Sequence, residues 1–155
     1  MKKHTISLKV NGVARTLEVE PSDLLNEVLR DKVGTKSVKV GCDRGDCGTC
    51  TVLLNGRAVR SCLVLAAEAD GSDILTLEGI SKEGGAALQK ALHKRNSFQC
   101  GFCAPGMILS AHELLRKNPH PTDADIREAI AGNLCRCTGY TPIVEGIADA
   151  AKGGK

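Results

Sequence analysis

Residues 41–52 read G-C-D-R-G-D-C-G-T-C-T-V, and the fold is decided by what this stretch can be. Cysteines at 42, 47 and 50 alternate with glycines at 41, 45 and 48. Neither a helix nor a strand interior tolerates that density of glycine, so the stretch is a loop whose backbone must turn tightly or approach something closely. Directly after it, Thr51-Val52-Leu53-Leu54, Asn55-Gly56 and Arg57-Ala58-Val59 write a β-hairpin with a type I′ turn. A second hairpin lies upstream, where Ile6, Leu8 and Val10 alternate, Asn11-Gly12 turns, and Leu17 and Val19 alternate on the return. Between the hairpins, Leu24, Leu25, Val28 and Leu29 have helical spacing, with Gly34 as the stop. A last strand, Ile74 to Leu77, follows a turn at Asp70-Gly71. Two hairpins with a helix between them predict a mixed sheet wrapped on one helix, a β-grasp arrangement.

Downstream the periodicity changes to helical. Leu88, Ala91 and Leu92 share a face, and a helix starting near Pro105 carries Met107, Ile108, Ala111, Leu114 and Leu115 before Asn118-Pro119 ends it. Thr122 and Asp125 form a capping box for a helix burying Ile126, Ala129 and Ile130, with Gly132 as its stop. Thr141-Pro142 opens a last helix with Ile143, Val144, Ile147 and Ala151. Four short helices predict a small bundle. The fold class is therefore α+β: a β-grasp domain over 1–79 and a helical domain over 80–155, divided where glycines gather between Gly79 and Gly85. The final K-G-G-K reads as a frayed tail.

Eight cysteines in a chain with no secretory signal predict metal ligands or free thiols in the cytoplasm rather than disulfides. Cys42, Cys47 and Cys50 stand in the spacing C-x4-C-x2-C, with eleven residues between Cys50 and Cys62. That is the plant-type ferredoxin spacing for a two-iron, two-sulfide (2Fe–2S) cluster. Structural zinc, the competing reading, usually takes two short cysteine pairs, whereas here one loop offers three thiols. The second set, Cys100-x2-Cys103 and Cys135-x-Cys137, has 31 residues between its pairs and suits zinc almost as well. The adjacent ferredoxin-type set tilts it toward a second cluster, because a chain built around one redox centre gains little from a neighbouring zinc. Pro105 would open a helix whose free N–H groups face this pair, favouring a reduced, more negative cluster. Gln99, beside Cys100, reads on its own as a surface glutamine. The four histidines (His4, His93, His112, His120) are expected on surfaces.

Composition excludes other classes. The net charge of +3 comes from scattered lysines and arginines, and with no Trp, one Tyr and two Phe there is little on which bases stack, so nucleic acid is not a partner. Each oxidised cluster with its thiolates carries about −2, which turns +3 into about −1. No stretch approaches the ~20 apolar residues of a membrane span.

The segments 41–52, Q-C-G-F-C-A-P-G-M-I at 99–108 and G-N-L-C-R-C-T-G-Y at 132–140 together resemble the small iron–sulfur subunit of the molybdenum hydroxylases, the xanthine oxidase family. The match runs over nearly the whole chain; Thr49 and Ala104 depart from the family pattern, and neither is a ligand. The resemblance implies two 2Fe–2S clusters on Cys42, Cys47, Cys50 and Cys62 and on Cys100, Cys103, Cys135 and Cys137. It implies a plant-ferredoxin-like first domain and a four-helix second domain, the second cluster lying nearest a molybdopterin cofactor held by a large partner subunit. Carried over by position, Gln99 and Cys137 contact that pterin, and FAD resides on a medium subunit. The chain itself has no catalytic residue for substrate chemistry; it relays electrons between the molybdenum centre and a flavin or other acceptor. A free ferredoxin shuttle and a mixed zinc–iron regulatory module are the rival readings.

Overall fold

The computed structural model describes residues 3–153. β1 (His4–Val10) and β2 (Val13–Val19) pair antiparallel, and Asn11 and Gly12 both take positive φ (51° and 82°), as a type I′ turn requires. β3 (Thr51–Leu54) and β4 (Arg57–Arg60) repeat the device, with Asn55 at φ 50° and Gly56 at 81°. β5 (Asp73–Leu75) joins the hairpins, parallel to β1 and antiparallel to β3, giving the order β2-β1-β5-β3-β4. β5 stops before Thr76, earlier than the periodicity predicts. There the Asn11 side chain takes over, accepting from Thr76 N and donating to Thr76 Oγ1. The predicted helix is a single α-turn, α1 (Leu25–Glu27), that widens into a π-type turn (Val28–Val33) and ends at Gly34 with φ 89°.

The four later helices are α2 (Ala86–Lys94), α3 (Ala104–Lys117), α4 (Asp123–Ile130) and α5 (Thr141–Gly153). Pro105 is the second residue of α3, and the Thr122–Asp125 capping box forms as read, with Asp125 N donating to Thr122 Oγ1 at 3.2 Å. Two expectations are corrected. Gly132 is not a left-handed stop for α4; its φ is not positive, and it lacks a side chain because a Cβ there would lie 1.6 Å from Arg60 Nη2. In α5 the inward alanine is Ala150, with Ala151 half-buried.

There are two apolar cores. One holds Ile6, Leu8, Val10, Val19, Leu25, Leu29, Val52 and Ile74 between the sheet and α1; the other holds Leu88, Leu92, Met107, Leu109, Ile126, Ile143 and Ile147 among the helices. β3 serves both, because successive side chains leave a strand on opposite faces: Val52 enters the first core and Leu53 the second. The unbroken apolar run Val52-Leu53-Leu54 is the signature of that two-sided burial. At the sheet edge, the Glu113 carboxylate of α3 accepts from Ala58 N at 2.8 Å, blunting β4.

His112 departs most from the sequence reading. His4, His93 and His120 are exposed, but His112 is only 5% exposed on α3, and its Nε2 has no hydrogen-bond partner among the described residues. Burial, reinforced by Arg116 and opposed by Glu83, lowers its pKa from 6.5. A neutral histidine in the fold that charges more readily when unfolded gives stability that is complete above pH 6.5 and is lost as pH falls below it. Thermal melting of the holoprotein across that range, compared with His112→Leu, should show the acid-side loss in the native chain and a flatter profile in the variant.

Candidate metal centres

The cysteine loop rises from the end of the first helix region and returns to β3, with Cys62 on a short 3₁₀ turn (Ser61–Leu63) directly after β4. The hairpin thus brings Cys62 back beside Cys50; both thiols belong to the first core. Cys42 and Cys47 close the other side, with Cys47 N donating to Cys42 Sγ at 3.3 Å. The Arg44 and Cys47 N–H groups aimed at the Cys42 sulfur lower its pKa to about 7, whereas burial, with Cys50 alongside, pushes Cys62 up to about 12. A thiol that does not ionise by itself at neutral pH is the kind a metal must deprotonate.

Glycine positions shape this loop. A Cβ on Gly45, at φ 88°, would lie 2.5 Å from Leu63 Cδ1, and one on Gly41 would lie 3.0 Å from Cys47 Sγ. Asp43, at φ 55°, holds the loop to α1 by accepting from the buried Asn26 Nδ2 at 3.1 Å. Arg44 and Asp46 pair with each other on the surface at 2.6 Å, so their fields at the sulfurs partly cancel.

The second set gathers at the start of α3 and in the loop from α4 to α5. Cys103 caps α3 and is buried; Cys100 and Cys137 are exposed, their sulfurs 3.6 Å apart. Cys103 and Cys135 form the inner pair; burial, together with Cys135, pushes the Cys103 thiol up to about 12. Burial also acts against Cys135 ionising, but the Thr138 hydroxyl and the Cys137 and Thr138 N–H groups outweigh it and lower its pKa. The Phe102 N–H lowers that of Cys100. Gln99 Nε2 donates to Cys137 O at 3.1 Å on the exposed rim, so the structure brings Gln99 and Cys137 together.

Both quartets fit a 2Fe–2S group better than a lone ion. Among the described residues no three His, Cys, Asp or Glu side chains are arranged to hold one metal ion. The thiols fall two by two, Cys42 with Cys47, Cys50 with Cys62, Cys100 with Cys137 and Cys103 with Cys135. Pairs of thiols around inward-pointing N–H groups suit an anionic cluster with two metals.

The two sites are held against each other by residues the sequence reading did not single out. Asn133, 2% exposed, donates through Nδ2 to Gly48 O (2.9 Å) and Thr51 Oγ1 (3.2 Å), while its Oδ1 accepts from Ser110 Oγ (2.8 Å). Leu134 N donates to Cys47 O at 2.9 Å, linking one cysteine loop directly to the residue before Cys135. The Tyr140 hydroxyl accepts from Cys135 N at 2.9 Å. Asn133→Ala would leave buried partners unpaired and should cost about 2 kcal/mol in urea unfolding of the holoprotein. Position gives a partial signal for these residues: Asn133 and Tyr140 flank the second cysteine pair in G-N-L-C-R-C-T-G-Y.

Comparison with known proteins agrees with this geometry. Residues 8–76 match the family described as 2Fe-2S iron-sulfur cluster binding domain, and residues 76–148 match the [2Fe-2S] binding domain family. The small FeS subunit of nicotinate dehydrogenase from Eubacterium barkeri is 51% identical over 92% of both chains. This chain belongs to the small iron–sulfur subunits of the molybdenum hydroxylase family. In that family its structure is similar to a chain of quinoline 2-oxidoreductase from Pseudomonas putida 86, with a TM-score of 0.91, 42% identity and 99% of each chain covered. It is also similar to part of the aldehyde oxidoreductase from Desulfovibrio desulfuricans (TM-score 0.89, 46% identity), covering 95% of this chain but 17% of that one. An equivalent module therefore occurs both as a small subunit and within a much longer chain. The β-grasp and helical-bundle fold expected from the sequence stands, as do two 2Fe–2S-binding units and the role of an iron–sulfur subunit in an oxidoreductase. No helix among the described residues is long and apolar enough to cross a membrane.

Proposed function

We propose that the chain relays single electrons between a molybdopterin centre on a large partner subunit and an acceptor, FAD on a medium subunit, through clusters on Cys42, Cys47, Cys50 and Cys62 and on Cys100, Cys103, Cys135 and Cys137. The observation that carries this reading is the exposed rim formed by Gln99, Cys100 and Cys137, where the second thiol set opens to solvent while Cys103 is buried behind it. Each 2Fe–2S group, when bound, takes up and releases one electron. The residues supply the rest. Each thiol pair would hold one iron, the inward N–H groups would offset the added negative charge, and the two cores fix the loops. The Gln99 bond to the Cys137 carbonyl orients both toward a pterin seated on that rim. Phe102 and Leu134, 46% and 53% exposed beside the same cysteines, supply apolar surface for the large subunit to cover.

In this reading the chain divides into domains 1–79 and 80–155, with β3 the wall they share. Cysteines used as cluster ligands rather than in disulfides suit a reducing compartment, and this reading assigns the complex to the cytoplasm. The test is metal analysis of the native complex captured through a tag on this chain. About four irons and one molybdenum per chain, with large and medium subunits co-purifying, is the expected result. Zinc in place of half the iron would remove the second cluster, and iron without molybdenum or partners would favour a free ferredoxin.

A further inference from the structure

Two hydroxyl groups stand beside ligand sulfurs, one in each site. Thr49 Oγ1 lies 3.2 Å from Cys47 Sγ, and Thr49 is only 5% exposed. A buried hydroxyl needs a partner, and among the described residues the sulfur is the one its side chain meets. Gly41 makes room for this pair, since a Cβ there would come within 2.9 Å of the hydroxyl and 3.0 Å of the sulfur. In the second site Thr138 Oγ1 lies 3.3 Å from Cys135 Sγ and accepts from Tyr140 N at 3.3 Å. With one lone pair occupied by that N–H, the hydroxyl proton is free to point at the sulfur. An iron-bound thiolate carries no proton, so in both pairs the hydroxyl is the donor.

We propose that Thr49 and Thr138 set the reduction potentials of the two clusters separately, each by a hydrogen bond to one ligand sulfur. The inference rests on the assignment of Cys47 and Cys135 as ligands. A donor to sulfur stabilises the reduced cluster more than the oxidised one, because reduction adds negative charge next to the donor, so each hydroxyl raises the potential of its own cluster. The two donors lie in different loops and touch different sulfurs, so each can vary without disturbing the other cluster. Thr49 and Thr138 are positioning and tuning residues: neither binds iron.

The test is a reductive titration of the holoprotein followed by electron paramagnetic resonance, comparing the native chain with T49A, T49S and T138A. T49A should lower the midpoint of one signal and leave the other in place; T49S should restore it. T138A should lower the second signal alone. An unchanged midpoint in T49A, both signals moving together, or T49S as low as T49A would overturn the proposal. Should T49A load iron poorly, T49V removes the hydroxyl while keeping the volume and carries the same prediction. Loss of the first cluster from both, with T49S intact, would assign the hydroxyl to assembly and overturn the tuning role. A native chain lacking two 2Fe–2S signals would instead fail the ligand assignment before any variant is compared.

Discussion

Cys103→Ala is expected to abolish the second cluster and stop electron passage through the chain, while the first cluster remains. Cys103 is the buried thiol at the start of α3, and its partner Cys135 depends on the same small space. With Cys103 and Cys135 as the proposed ligands of one iron, removing Cys103 would leave that iron a single protein sulfur. Iron should fall by half, one of two paramagnetic signals should vanish, and reduction of the acceptor by substrate in the complex should drop to background. The reciprocal variant, Cys62→Ala, should remove the other signal. If Cys103→Ala kept full iron content and both signals, Cys103 would not be a ligand.

Gly106→Ala should be strongly destabilising although it touches no cysteine. Gly106 lies in the first turn of α3, and a Cβ there would sit 2.3 Å from Gly48 O and 2.9 Å from Asn133 Nδ2. Both neighbours are fixed: Gly48 O also accepts from Asn133, and a Cβ on Gly48 would in turn lie 2.3 Å from Gly132 O. Neither contact relieves by rotating a flexible side chain, so α3 must move away from the first cysteine loop. Overpacking of this kind costs about 3 kcal/mol, read as a lower urea midpoint. Gly153→Ala, where a Cβ meets nothing within 4 Å, is the matched control and should leave stability nearly unchanged.

These glycines mark where the sequence was readable and where it was not. Local rules were sufficient for the hairpins, because Asn-Gly at 11–12 and 55–56 dictates its own turn. They were sufficient for the α4 capping box, which closes within four residues. The cysteines that the structure brings together, Cys50 with Cys62 and Cys100 with Cys137 among them, are those grouped by the ferredoxin-type spacing and the resemblance; their role as ligands is the proposal. Contacts between distant segments were hidden. Gly132 resembled a helix stop, yet its role is to admit the Arg60 guanidinium, whose Nη2 donates to Gly132 O at 2.5 Å. Asn133 carried no role of its own in the sequence reading, and only the packing of the two cysteine loops turns it into a buried bolt. His112 was assigned to a surface because one helical face was counted as core, whereas α3 is buried continuously from Pro105 to His112 by the sheet on one side and the other helices on the other. The widening of the α1 region into a π-type turn over Val28–Val33 follows no local pattern in the sequence.

The central claim is that this chain holds two 2Fe–2S clusters acting as separate one-electron carriers. Anaerobic reductive titration of the holoprotein, with electron paramagnetic resonance at each step, tests it most directly. The account predicts uptake of about two electrons per chain and two resolved signals of the 2Fe–2S type, one lost in Cys62→Ala and the other in Cys103→Ala. A single signal with uptake of one electron, alongside zinc at the second site, would contradict it.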